Sequence, residues 1–202
     1  MPRTIYARSG KRIFDLTATF SLMVVLAPLY GTVWLLVRLR LGRPVYFTQD
    51  RVGRDGQRFT MHKFRTMKPD RRRTTQIEYD GVDRRRYDKD PGDPRHTTLG
   101  RRLRRSSLDE LPQLVHVLRG EMSLVGPRPE IWSTAIRDGQ LGHSRERVRP
   151  GVTGLWQVNS RDSDDLEGRL HLDDDYIRTM TFRGDLRILC KTVSVVFART
   201  GH

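Results

Sequence analysis

Cysteine is almost missing from this sequence: Cys190 is the only one in 202 residues. A single thiol excludes an internal disulfide, argues against a cysteine-rich metal site and fits a reducing compartment. The six histidines show no metal-ligand spacing, and neither a Walker A loop nor a paired-glycine dinucleotide loop occurs. No internal repeat is visible. Lysine is scarce as well: apart from Lys11, Lys63, Lys68, Lys89 and Lys191, the 38 basic residues are arginine. Arginine grips a phosphate through two parallel hydrogen bonds, so this bias mildly favours phosphate recognition, although a codon bias would produce it too.

Charge is absent from one long stretch, Leu16 to Val37. As a straight helix these residues reach roughly 33 Å at ~1.5 Å per residue, enough for a hydrocarbon core. The run is too long for an ordinary signal-peptide core, and no small-residue cleavage site follows it. Arg3, Arg8, Lys11 and Arg12 precede it, and Arg38, Arg40 and Arg43 follow. The positive-inside rule places both flanks on the cytoplasmic side, which a single span cannot satisfy. Pro28 sits mid-run, where it removes a backbone donor. A helix–break–helix hairpin at Ala27-Pro28, entering and leaving by one face, is expected ahead of a kinked span. Residues 1–43 then form a membrane anchor and 44–202 a cytoplasmic domain.

The rest of the chain is strongly basic, with a net charge of +14 and a pI near 10.9. Nucleic acid, a nucleotide, phospholipid headgroups and a phosphorylated substrate are all compatible with that charge. No recognition-helix pattern or interleaved stacking aromatics accompany the arginine runs, so a nucleic-acid partner is not expected. Pro44 to Met67 reads as a β-hairpin turning at Arg54-Asp55-Gly56-Gln57. Lys68 to Pro94 reads as a charged, solvated or mobile loop. Leu99–Arg105 and Leu111–Leu118 read as helices, the latter stopped by Gly120. Gly126–Pro129 and Arg149–Gly154 read as rigid turns. Leu186, Leu189, Val193, Val196 and Phe197 line one face of an amphipathic helix that packs on the domain or lies on a membrane surface. The fold class expected is α+β and mostly helical.

Asp109 and Glu110 are the residues most suggestive of chemistry. Ser107 followed three residues later by Glu110 fits a capping box, which would set both carboxylates at a helix start. Acidic residues are common there for structural reasons alone. Arg101, Arg102, Arg104 and Arg105 stand upstream, with His62-Lys63-Phe64-Arg65 before them and Arg128 downstream. Adjacent carboxylates suit a hard divalent ion shared with substrate phosphates, and a carboxylate can also attack phosphorus. His116, on an apolar helix, reads as a satisfied core residue.

Taken together, Lys11-Arg12-Ile13-Phe14-Asp15-Leu16, Lys63–Met67, Asp93-Pro94-Arg95, Arg104–Leu114, Val125–Glu130 and Arg149–Gly154 resemble the bacterial sugar transferases of the monotopic phosphoglycosyl transferase type. The resemblance runs from about Ser9 to Arg199. It implies transfer of a sugar-1-phosphate from a nucleoside diphosphate sugar, usually a UDP-sugar, to a polyprenyl phosphate, at the start of bacterial glycan assembly. By the same resemblance Asp109 is the nucleophile and a Mg²⁺ contact, with Glu110 its partner. Lys63, Arg65, Arg104, Arg128 and Arg149 would hold phosphates, and Asp173 matches a family acid. A re-entrant anchor in the bacterial inner membrane with the catalytic domain on the cytoplasmic face is implied. Ala27 stands where family members often carry serine. The chain resembles the small, catalytic-domain-only form, and a homo-oligomer is left open.

Overall fold

A computed structural model describes residues 6–68, 95–139, 141–159 and 166–197. The charged stretch after Lys68 lies outside them, as do Asp93 and Pro94 of the Asp-Pro-Arg motif. The described fold is mostly helical with two small sheets. Helix α1 (Lys11–Leu41) carries Pro28 in its interior. The hairpin follows as β1 (Tyr46–Val52) and β2 (Arg58–Phe64), antiparallel from Tyr46 opposite Phe64 to Val52 opposite Arg58. Asp55 and Gly56 at its turn both adopt positive φ, as an Asp-Gly turn requires. Next come α2 (Thr98–Arg105), α3 (Gln113–Arg119), β3 (Ser123–Val125), α4 (Trp132–Arg137), β4 (Gly151–Thr153), α5 (Leu155–Asn159), α6 (Leu166–Thr179) and α7 (Phe182–Phe197).

The expected interruption of α1 is not seen: one helix runs through Ala27 and Pro28. Both residues lie on its exposed side, so the proline ring meets no packed neighbour. Proline leaves that position without a backbone donor. A further departure concerns the Arg149–Gly154 turn, part of which is a strand. β4 pairs in parallel with β3, Ser123 opposite Gly151 and Val125 opposite Thr153. Three residues per strand are too few to leave an alternation that could be read. Gly126 and Gly151 make this contact possible: a Cβ on Gly151 would stand 2.1 Å from the Gly126 nitrogen.

α1 packs on the rest of the fold at both ends. Near its start, Lys11 Nζ lies 2.6 Å from Asp185 Oδ2 on α7. The Arg12 guanidinium donates to the Val117 and Leu118 carbonyls of α3, and Asp15 accepts from the Leu124 amide. Near its end, Val33 and Val37 join Val45, Phe64 and Leu103 in one apolar cluster. The Tyr30 and Tyr46 hydroxyls share a hydrogen bond of 2.7 Å. The main core lies under the hairpin, α3, α6 and α7, around Met61, Val117, Met122, Val125 and Ile188. Between its anchored ends the helix shows apolar side chains, with Phe20 64 % and Val25 73 % exposed. Such an unbroken apolar flank is foreign to a surface in water.

The amphipathic C-terminal helix is present, but its apolar residues divide. Ile188 is buried and Leu189 packs on the core, whereas Phe182, Leu186 and Val193 are exposed.

Candidate active site

Asp109 and Glu110 lie in a single 3-10 turn, Leu108–Glu110, between α2 and α3. The expected capping box does not form. Ser107 takes a left-handed conformation with φ 53°, and its hydroxyl caps nothing. Pro112 holds the start of α3 back to Gln113, so the pair precedes that helix instead of opening it. Glu110 is held instead from the hairpin, where Lys63 Nζ on β2 reaches its Oε1 at 2.5 Å.

Asp109 is 8 % exposed. Burial pushes its carboxyl up to about 6, and the neighbouring Glu110 adds to the rise; Lys63 and Arg104 act against it. A carboxylate short of solvation and beside a second negative charge is a stronger base and nucleophile than one in water. Arg104 itself contacts the His96 ring through Nη2 at 2.5 Å.

Arg128 stands with Glu110 at the edge of two adjoining clefts. One is a narrow crevice bordered by the polar side chains of Arg51, Lys63, Gln113 and Gln157 beside Met61 and Val152. The other has a volume of about 270 Å³ and is mainly apolar. The loop carrying Arg128 is braced from below. Arg145 donates to the Arg128 carbonyl at 2.7 Å and to Glu130 Oε1 at 2.8 Å. Its Nη2 also lies 2.9 Å from Asp173 Oδ2, an ion-pair contact not aligned as a hydrogen bond. Arg169 pairs with the same Glu130 oxygen at 2.6 Å.

The structure therefore sorts the residues expected from sequence. Glu110 and Arg128 line both clefts and Lys63 the narrow one; Asp109 lies buried in the same turn as Glu110, where Lys63 and Arg104 bias it. Asp173 is buried beneath the Arg128 loop, where desolvation raises its carboxyl to about 6 against the pull of Arg145 and Arg169. Arg65 serves the end of α1, donating to the carbonyls of Leu41, Gly42 and Arg43. Arg149 donates through Nε to the Gly120 carbonyl behind α3. His116 is a core residue, accepting from the His62 amide and bonded to Glu121.

Gln113, Gln157, Arg51 and Arg145 border or brace the site without having been singled out. Gln113 and Arg145 are buried polar side chains, and the Gln157 Oε1 has no hydrogen-bond partner. No local pattern marks them; only tertiary placement does. Among the described residues no cluster of three or more acidic, histidine or cysteine side chains could hold a metal. Asp109 and Glu110 alone suit Mg²⁺, which needs only one or two carboxylates when water and substrate phosphates complete its shell.

Comparisons with known proteins follow the same lines. Residues 6–199 match the family described as bacterial sugar transferase. The undecaprenyl-phosphate galactose phosphotransferase of Salmonella typhimurium is 38 % identical over 96 % of this chain and 42 % of its own length. The undecaprenyl-phosphate glucose phosphotransferase of Komagataeibacter xylinus is 43 % identical over 94 % of this chain and 36 % of its own. The exopolysaccharide production protein ExoY of Rhizobium meliloti is 36 % identical, with 95 % of this chain and 87 % of that protein covered. The chain thus spans less than half the length of the two phosphotransferases.

Proposed function

Because the chain belongs to the bacterial sugar transferase family, we propose that it moves a sugar-1-phosphate from a nucleoside diphosphate sugar, a UDP-sugar by the motif resemblance, to a polyprenyl phosphate. The observation that carries this is the buried Asp109 next to Glu110, which pairs with Lys63 and lines an apolar cleft together with Arg128.

An Asp109 carboxylate oxygen attacks the β-phosphorus of the donor. An O–P bond forms, the bond to the UMP oxygen breaks, and UMP leaves with that electron pair. An oxygen of the lipid phosphate then attacks the same phosphorus and displaces the Asp109 carboxylate, which is restored. Lys63 and Arg128 offset the negative charge that gathers as an anion approaches a diphosphate. Glu110 orients Lys63 and, by its own charge, keeps Asp109 basic. Mg²⁺, held by Asp109 and Glu110, would supply further charge neutralisation on the phosphates.

The anchor is read as monotopic, placing the catalytic part on the cytoplasmic face of the bacterial inner membrane. A straight helix of 31 residues is about 46 Å long, more than the ~30 Å hydrocarbon core. Ends separated by a bilayer would not both touch one body on one side. Contacts at both ends of α1, together with arginines at both flanks, support both ends lying on one face of the membrane.

Purified protein given a panel of UDP-sugars, polyprenyl phosphate and Mg²⁺ should release UMP with at least one sugar, and Asp109→Asn should release none. Normal turnover in that variant sinks the mechanism. For topology, once Cys190 is replaced, single cysteines before Lys11 and after Arg43 should both react with an impermeant reagent from the cytoplasmic side. Reaction from opposite sides would establish a span.

A further inference from the structure

The two clefts that meet at Glu110 and Arg128 differ in chemistry. The narrow one presents Arg51, Lys63, Gln113 and Gln157. The larger one is walled by Leu22 of α1, Leu111, Val158 and, from α7, Thr192, Val195 and Val196. Its charged groups, Glu110 and Arg128, sit where it adjoins the polar cleft. An occupant that fits must be anionic at one end and hydrocarbon beyond it.

Leu22 also ties this cleft to the exposed apolar flank of α1, since Val25 and Leu29 follow it at i+3 and i+7 on the same face. A chain leaving the cleft past Leu22 stays on apolar surface. At about 270 Å³ the cleft falls below the ~300–1,000 Å³ that enclose a whole small ligand. It therefore takes the head of a longer molecule.

Resting on the sugar-phosphate transfer reading, we infer that this cleft binds the isoprene units nearest the phosphate of the lipid acceptor. Thr192, Val195 and Val196 of the C-terminal helix form its selective wall. The acceptor phosphate lies at Arg128 and attacks the phosphorus carried by Asp109.

The test separates acceptor from donor. Geranyl phosphate and methyl phosphate, both used below their micelle-forming range, are compared as acceptors with the full-length protein in detergent. The wild-type protein should use geranyl phosphate with kcat/KM at least about tenfold higher, the scale of discrimination an apolar pocket gives. Val195→Trp fills the cleft and should erase that preference, with KM for the UDP-sugar changed by less than about twofold. Equal use of the two acceptors by the wild-type protein overturns the inference. So does a Val195→Trp variant that keeps the preference, or one in which a phospholipid tail alone competes. If Val195→Trp fails to fold, Val196→Trp on the same wall decides in its place. Failure of the underlying reading looks different: the wild-type protein would then release no UMP from any nucleotide sugar.

Discussion

Asp109→Asn should make the protein more stable while removing its activity. In the folded chain, burial and Glu110 raise this carboxyl from 3.8 to about 6. Raising a pKa by that much corresponds to roughly 3 kcal/mol between its protonated and ionised forms. Between about pH 4 and pH 6 the folded state then holds more protons than the unfolded state, so stability falls as pH rises through that window. Above pH 6 the full penalty is present; below pH 4 both states are protonated and it vanishes. Asparagine has nearly the same shape and no charge. Its gain should therefore be near zero at pH 4 and approach roughly 3 kcal/mol at pH 8, or ~6–12 °C in thermal midpoint for a chain of this size. Thermal unfolding of both proteins in one detergent at pH 4, 6 and 8 measures it. UMP release in the wild-type protein should fall on the acid side near pH 6. Equal midpoints at all three pH values, or a less stable variant at pH 8, would refute the proposed electrostatic burden on Asp109.

Lys63→Met removes a charge that holds Asp109 down, so the acid limb of the pH–rate profile should move above 6, with turnover partly recovered by raising the pH; an unmoved limb would count against the pairing. Arg145→Met leaves Glu130 and Asp173 without their shared cation and should destabilise by about 3–5 kcal/mol, read by denaturant unfolding, with Asp173→Asn in the same chain restoring part of it. Lys11→Met leaves the fully buried Asp185 with only the hydroxyls of Tyr6 and Tyr176. A loss of similar size is expected, read by thermal unfolding, and Lys11→Arg should do less damage.

The hairpin was legible in the sequence because its signals are local: strand formers on either side of an Asp-Gly turn. The basic helix α2 and the Gly120 stop were legible for the same reason. The catalytic pair was visible as a pattern, but the local rule gave it the wrong support. A Ser-x-x-Glu spacing says nothing about Lys63, which comes 47 residues earlier and reaches Glu110 across the fold. The arginines show the limit most clearly. Arg65, Arg128 and Arg149 are alike as letters, yet two of them close helix ends and one borders the clefts. Carbonyls at a helix terminus need donors as much as a phosphate does, and only tertiary position tells which demand a guanidinium meets. Pro28 is the converse case. Proline in a helix interior predicts a break, yet α1 runs through Pro28.

A boundary at residue 43 marks a change of environment more than a joint between folding units. One stripe of α1, through Lys11, Asp15 and Thr19 and again at Val33 and Val37, is buried in the body of the protein. Deleting the helix would uncover Asp185 at one end and Phe64 at the other, leaving a buried charge unpaired and an apolar cluster open to water. The opposite flank bears the apolar side chains that water disfavours, and Leu22 stands where this flank meets the cleft beside Glu110. The same helix thus completes the core, presents a lipid-compatible surface and walls the cleft next to the reactive carboxylate. A tether attached through a linker would give only the second of these. That coupling explains why the helix is fixed at both ends: an acceptor that arrives along its apolar flank meets Asp109 in one fixed geometry only if flank and carboxylate belong to the same rigid body.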